Sequence, residues 1–173
     1  MRAENQTAHR PVRRAYTLIE LLVVITVLGI AAALVIPTFG QTGVLRVQGA
    51  IRTIVSDIAI AQSDSIAYQK GRAIVFHNTP GHPGYVVCEV NGANIDENLD
   101  RLHSQTFDSG EFGDIAFENI TLTNGMIVLD ELGGPVAAPQ SSTPAPVQYF
   151  DIVGSGQRFR VTIEAYTGKV TVQ

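Results

Sequence analysis

The feature that most constrains this chain is an apolar run near its N-terminus. From Leu21 to Ile36 it reads LLVVITVLGIAAALVI, sixteen residues without a charge. Glu20 stands at the head of the run. Before it come Arg2, Arg10, Arg13 and Arg14 against one acid, Glu4. Wound as a helix, residues 16–36 would reach about 31 Å, enough to cross a bilayer core. The basic flank predicts a cytoplasmic N-terminus and an exported remainder. A cleaved secretory signal would need a small-x-small site after the run, and Ala31-Ala32-Ala33 lies inside it. A plain anchor leaves Glu20 unexplained, because a carboxylate at the lip of the hydrocarbon is costly.

The rest of the 173 residues suit one modest domain. Beyond Pro37, Gly40 and Gly43, apolar residues return at helical spacing: Val44, Val47, Ile51, Ile54, Val55 and Ile58, with Ala59, Gln62 and Ile66 as a weaker continuation. This pattern predicts an amphipathic helix stopped by Gly71 after Lys70, so that one long element runs from Tyr16 to Lys70 with a kink at Pro37. The pattern then changes to short strands. They are expected over 73–76, 85–90, 115–117, 120–122, 125–129, 147–153, 158–164 and 169–172. Turns are expected at 77–84 and 154–156, a polar acidic loop at 91–100, and a Pro/Ala/Ser-rich loop at 133–146. The expected fold class is α+β, a long N-terminal helix laid against a mainly antiparallel β head.

The N-terminal segment AYTLIELLVVITVLGIAAALVIP, Ala15 to Pro37, closely resembles the motif of type IV prepilins and type II secretion pseudopilins. The resemblance implies a pilin-like fold and cleavage between Ala15 and Tyr16 by a prepilin peptidase, which also N-methylates the new terminus at Tyr16. Family members usually carry glycine where Ala15 stands. Glu20 becomes the fifth mature residue, implied to set register by pairing with the terminal amine of a neighbouring subunit. Pro37 falls where such helices often carry a proline. The chain then divides into a 1–15 leader, a 16–43 transmembrane helix and hinge, and a 44–173 half-helix plus periplasmic head. Weaker motifs resemble the GspH/FimT-type minor pseudopilins: the Ala61–Arg72 run ending the helix, the Ile127–Pro135 stretch, and a closing hairpin, Arg160 to Val172, with a TGxV turn. The Ile127–Pro135 stretch lacks the family's arginine, and Asp64 stands where glutamate is commoner. The implied role is a non-enzymatic minor subunit of a type II secretion pseudopilus, anchored in the inner membrane. Its implied partners are other pseudopilins or pilins and the inner-membrane assembly platform. The alternatives are a FimT-like minor pilin of a type IV pilus or DNA-uptake machine, and a solitary membrane-anchored binding module.

The head offers little chemistry of its own. His77, His82 and His103 read as exposed loop residues, without the three or four convergent ligands a zinc site needs. No serine sits in a nucleophile elbow, so no catalytic residue is assigned. Asp96, Glu97 and Asp100 in NIDENLD read as a solvated loop, with calcium as the alternative use of residues 94–100. Cys88, the single cysteine, reads as a small core residue, and Gly154-Ser155-Gly156 as a turn rather than a phosphate loop. No cofactor or metal is expected. Net charge is -4, made of +3 in residues 1–15 and -7 in residues 16–173. Arg158, Arg160 and Lys169 form at most a small basic patch amid that acidity, which argues against nucleic acid.

Overall fold

The computed structural model describes residues 16–35 and 42–173. It divides into two units, Met1–Gly40 and Gln41–Gln173. The architecture is α+β: an N-terminal helix, a second helix, and two antiparallel sheets.

In the first unit, helix α1 spans Leu18–Val35. It carries apolar side chains on every side. Leu18, Leu22, Ile25, Leu28 and Ile30 are all exposed. Among the described residues of its own unit, α1 has no apolar surface to pack on.

The second unit begins with α2, Thr42–Tyr68, whose buried stripe is Val47, Ala50, Ile51, Ile54, Ile58, Ala61 and Ser65. The first part agrees with the expected spacing. The second part does not: Ala59 and Ile66 face solvent, while Ala61 and Ser65 turn inward. The 3.6-residue period carries the buried face from Ile58 to Ala61 and Ser65, so Ile66 falls outside it. The helix stop also differs. Gln69, at φ 51°, takes the left-handed position, and the N–H of Lys70 returns to the carbonyl of Ser65 at 3.2 Å. This is a Schellman closure made without glycine. Gly71 has a different reason to be small, since a Cβ there would lie 3.0 Å from Val90 Cβ and 3.1 Å from the Leu129 carbonyl.

The larger sheet has the order β3 (Arg101–Thr106), β2 (His82–Glu89), β1 (Arg72–Thr79), β5 (Met126–Leu129), β6 (Pro135–Val136), and the smaller β4 (Ala116–Glu118), β7 (Gln148–Gly154), β8 (Gln157–Ile163), β9 (Val170–Val172). In the larger one, β1 (Arg72–Thr79) and β2 (His82–Glu89) form a hairpin in full register from Arg72↔Glu89 to Thr79↔His82. The expected eight-residue turn at 77–84 is therefore only Pro80-Gly81. Pro80 pre-sets one turn angle and Gly81, at φ 80°, supplies the other. Strand β3 (Arg101–Thr106) is absent from the expected strands, and it lies at the sheet edge. β5 (Met126–Leu129) pairs β1, and β6 (Pro135–Val136) extends the sheet from inside the expected 133–146 loop.

In the smaller sheet, β4 (Ala116–Glu118) flanks β7 (Gln148–Gly154), which turns through Ser155-Gly156 into β8 (Gln157–Ile163). β9 (Val170–Val172) closes the sheet. A short helix, α3 (Ser109–Phe112), precedes β4. The expected strand at 120–122 does not form; Leu122 is buried but its backbone joins no ladder.

The core gathers the α2 stripe and the apolar side chains of both sheets. At its centre Phe76, Tyr85, Phe107, Phe117 and Phe150 stack with ring centroids 4.8–6.2 Å apart. Close backbone approach seats α2: a Cβ on Gly154 would meet Val47 Cγ2 at 2.9 Å. All of these residues lie within 42–173, so the second unit owns a complete core.

Candidate functional site

The N-terminal segment is built from a helix start. Thr17 caps α1: its carbonyl accepts from the N–H of Glu20 at 3.1 Å and of Leu21 at 3.2 Å, and its Oγ1 also accepts from the Glu20 N–H at 3.3 Å. Thr17-Leu18-Ile19-Glu20 has the T-x-x-E spacing of a capping box, a signal that the apolar run beside it overshadows. Glu20 thus stands in the first turn, where the positive end of the helix dipole favours a carboxylate. Tyr16 is exposed just ahead of it. Ala15 and Pro37, the other two singled-out positions, lie outside the described residues. Among the described residues no helix is long and apolar enough to cross a membrane. The 18 residues of α1 give about 27 Å, and the expected span runs on to Ile36, which lies outside the described residues.

In the head, the polar side chains mostly satisfy one another. His77 and His82 lie in strands rather than loops, and His103 lies in β3. Each meets a carboxylate: His77 Nε2 with Glu97 at 2.6 Å, His82 Nδ1 with Asp108 at 2.8 Å, His103 Nε2 with Asp57 at 3.3 Å. Asp57 also accepts from the buried Tyr85 hydroxyl at 2.5 Å. Burial first, then this bond and the Asp57 charge, push the phenol far above its ordinary range. Tyr85 therefore stays a donor at every physiological pH. Glu97 of the acidic loop thus reaches β1, while the two aspartates serve the loop itself: Asp96 accepts from the N–H groups of Asn98 and Leu99, and Asp100 from the Asn91 amide and the Asp96 N–H. The Asn91 bond leads in holding the Asp100 carboxyl below its usual range. Among the described residues, no group of three or more His, Cys, Asp or Glu side chains is arranged to hold a metal ion. Cys88 is buried, and burial raises its thiol pKa, as for an inert core thiol.

The small basic patch has a different character from that expected. Arg158 and Arg160 both point at Asp151, a wholly buried carboxylate on β7. Arg160 also lies over the Tyr149 ring at 4.3 Å, and Arg158 reaches Glu118 at 2.6 Å. Both cations are committed within the fold, leaving less charge for phosphates. The period-2 pattern places both arginines on β8, but nothing in it marks Asp151 as their buried partner.

With Tyr16, Thr17 and Glu20 in place ahead of an all-round apolar helix, the comparison with known families becomes specific. Residues 10–36 match the prokaryotic N-terminal methylation motif. The match supports the type IV pilin and pseudopilin superfamily. It implies processing by a prepilin peptidase, assembly with other pilins, and anchoring in a membrane. No curated protein and no solved structure matches the chain.

Proposed function

We propose that this chain is a non-enzymatic minor pseudopilin of the GspH/FimT kind, aiding assembly at the tip of a type II secretion pseudopilus and so protein secretion. The observation that carries the proposal is the methylation motif set on a capped, unpartnered apolar helix that precedes a β-rich head with its own core. Residues 1–15 are then a disposable leader. The peptidase cuts between Ala15 and Tyr16 and methylates Tyr16. The apolar run beyond Glu20 holds the subunit in the inner membrane, with the N-terminus cytoplasmic and the head periplasmic. It later enters the filament core, where burial of its exposed leucines and isoleucines supplies cohesion.

Glu20 has two partners in this account. The helix N-terminus holds its carboxylate in one place, and the Tyr16 amine of an adjacent subunit neutralises it and sets register. Glu20→Ala should leave the head folded and reduce incorporation into filaments. Normal incorporation of that variant would remove the register role. Deleting the gene should block export of secreted proteins and leave surface pili intact. Loss of pili or DNA uptake with secretion intact would instead make the chain a FimT-like minor pilin. The commitment of Arg158 and Arg160 to Asp151 favours the secretion role over DNA binding.

A further inference from the structure

Two asparagines of the head stand directly before glycine: Asn91 before Gly92, and Asn124 before Gly125. Glycine has no side chain to shield its backbone nitrogen from the carboxamide that precedes it. Such a pair can close a cyclic imide, provided the nitrogen is free and the backbone can turn.

The two sites differ in this respect. Asn124 sits at φ 54° and ψ 27° in a closed turn. There the Gly125 N–H donates to the Leu122 carbonyl at 3.2 Å, and the Met126 N–H to the Thr123 carbonyl. Ring closure needs ψ rotated far from 27° and the Gly125 nitrogen released, yet β5 begins at the next residue. Asn91 is exposed between β2 and the acidic loop, and the Gly92 N–H donates to no acceptor among the described residues. A Cβ added at Gly92 would meet nothing within 4 Å.

Asn91 also has a structural task. It lies just after β2 and Asp100 just before β3, so the 2.6 Å bond from Asn91 Nδ2 to Asp100 Oδ1 clasps the neck of the loop. Asp100 holds the loop by further bonds. Its carbonyl accepts from the Glu89 N–H at 2.9 Å, its N–H donates to the Asp96 carbonyl at 2.8 Å, and its Oδ2 accepts from the Asp96 N–H at 3.0 Å.

We propose that Asn91-Gly92 is a site of spontaneous deamidation, and that the carboxylate it creates unclasps the 91–100 loop. The Gly92 nitrogen attacks Asn91 Cγ and gives its proton to solvent, while the side-chain amide nitrogen leaves as ammonia. Water then opens the imide at either carbonyl, giving aspartate or isoaspartate. Water enters, ammonia leaves, and no oxidant or reductant takes part. The product lacks the N–H donor and sets a second negative charge against Asp100 Oδ1. In the isoaspartate form the main chain also runs through the former side chain, which lengthens the neck. Each molecule makes the change once and without an enzyme, so the loop records the age of the head. None of this depends on membrane anchoring or filament assembly.

The test uses the full-length chain in detergent micelles, held in warm, mildly alkaline buffer. Peptide mass mapping over weeks separates asparagine, aspartate and isoaspartate at each site. Conversion at Asn91 should run about tenfold faster than at Asn124, the factor by which one net hydrogen bond on Gly125 holds that site back. Gly92→Ala, which fits without a clash, should slow conversion at residue 91 several-fold. Equal rates at the two asparagines, or an Asn91 that stays intact, would overturn the site. Hydrogen exchange on Asn91→Asp tests the consequence. The Glu89, Asp96 and Asp100 amides should exchange about tenfold faster than in the parent, while those of Ala73 to Phe76 in β1 hold. Unchanged exchange at the neck would overturn the unclasping. Faster exchange throughout β1 would show a loosened fold instead, and would overturn it as well.

Discussion

Asp151→Asn is the sharpest test of how the head is held together. The carboxylate sits in the middle of β7, fully buried, opposite Arg160 in register. Oδ1 accepts from Arg160 Nε at 2.8 Å. Oδ2 accepts from Arg160 Nη2 at 3.1 Å, Arg158 Nη1 at 2.9 Å and Asn119 Nδ2 at 2.7 Å. Asparagine keeps the volume but removes the charge and turns an NH₂ group toward guanidinium donors. A hydrogen bond to a charged group contributes about 1.5–3 kcal/mol net. Both arginines are about half exposed and regain water when released, which discounts the sum. The expected loss is about 2–3 kcal/mol, or about 6–12 °C in the Tm of a domain this size.

The pH dependence has a definite sign. The arginine and Asn119 bonds, Arg160 first, outweigh the cost of burial and hold the Asp151 carboxyl well below its ordinary range. A depressed carboxyl contributes stability that is fully present above the unfolded value, near 3.9, and is lost as pH falls through the window below it. The gap between parent and Asp151→Asn should therefore be constant from pH 7 to 5 and narrow by about 1 kcal/mol at pH 3. Thermal unfolding of residues 42–173 followed by circular dichroism measures both. A gap under about 0.5 kcal/mol at pH 7, or one that widens in acid, would refute this account of the cluster.

Two further substitutions probe the packing. Gly154→Ala should destabilise the head by about 1–3 kcal/mol in urea unfolding, because its Cβ would meet Val47 Cγ2 at 2.9 Å and the Asp114 carbonyl at 3.2 Å; unchanged stability would mean that α2 does not seat this closely on β7. Tyr85→Phe should cost about 1–2 kcal/mol by removing the donor to Asp57 while leaving the aromatic cluster filled; a stabilised variant would show that this buried bond is a net burden.

The elements legible in the sequence are those whose periodicity reports burial. The stripe Val47, Ile51, Ile54, Ile58 announces α2 because one face must leave water, and Ile74, Val87, Ile127 and Ile152 announce strands for the same reason. Strand β3 escapes because an edge strand need not bury anything. Its RLHSQT carries one apolar residue, and that one sits at a bulge. The 77–84 segment looks like one long turn because Pro83 and Gly84 are turn-type residues, whereas both pair in the hairpin. A Cβ on Gly84 would meet the Gln105 carbonyl at 2.5 Å, so the glycine serves the β2–β3 approach instead. At the N-terminus, the order Tyr16, Thr17, Glu20 and an uncharged run carries the site almost unaided. In the head, the pairings of Asp57, Asp108 and Asp151 join residues 7 to 46 positions apart, and no local pattern announces such contacts.

The central claim is that this chain enters a prepilin pathway, and the intact mass of the protein purified from its native membrane tests it most directly. The account predicts a chain that begins at Tyr16, lacks residues 1–15, and is heavier by one methyl group on its terminal amine. A full-length, unmethylated chain in a host with an active prepilin peptidase would contradict it.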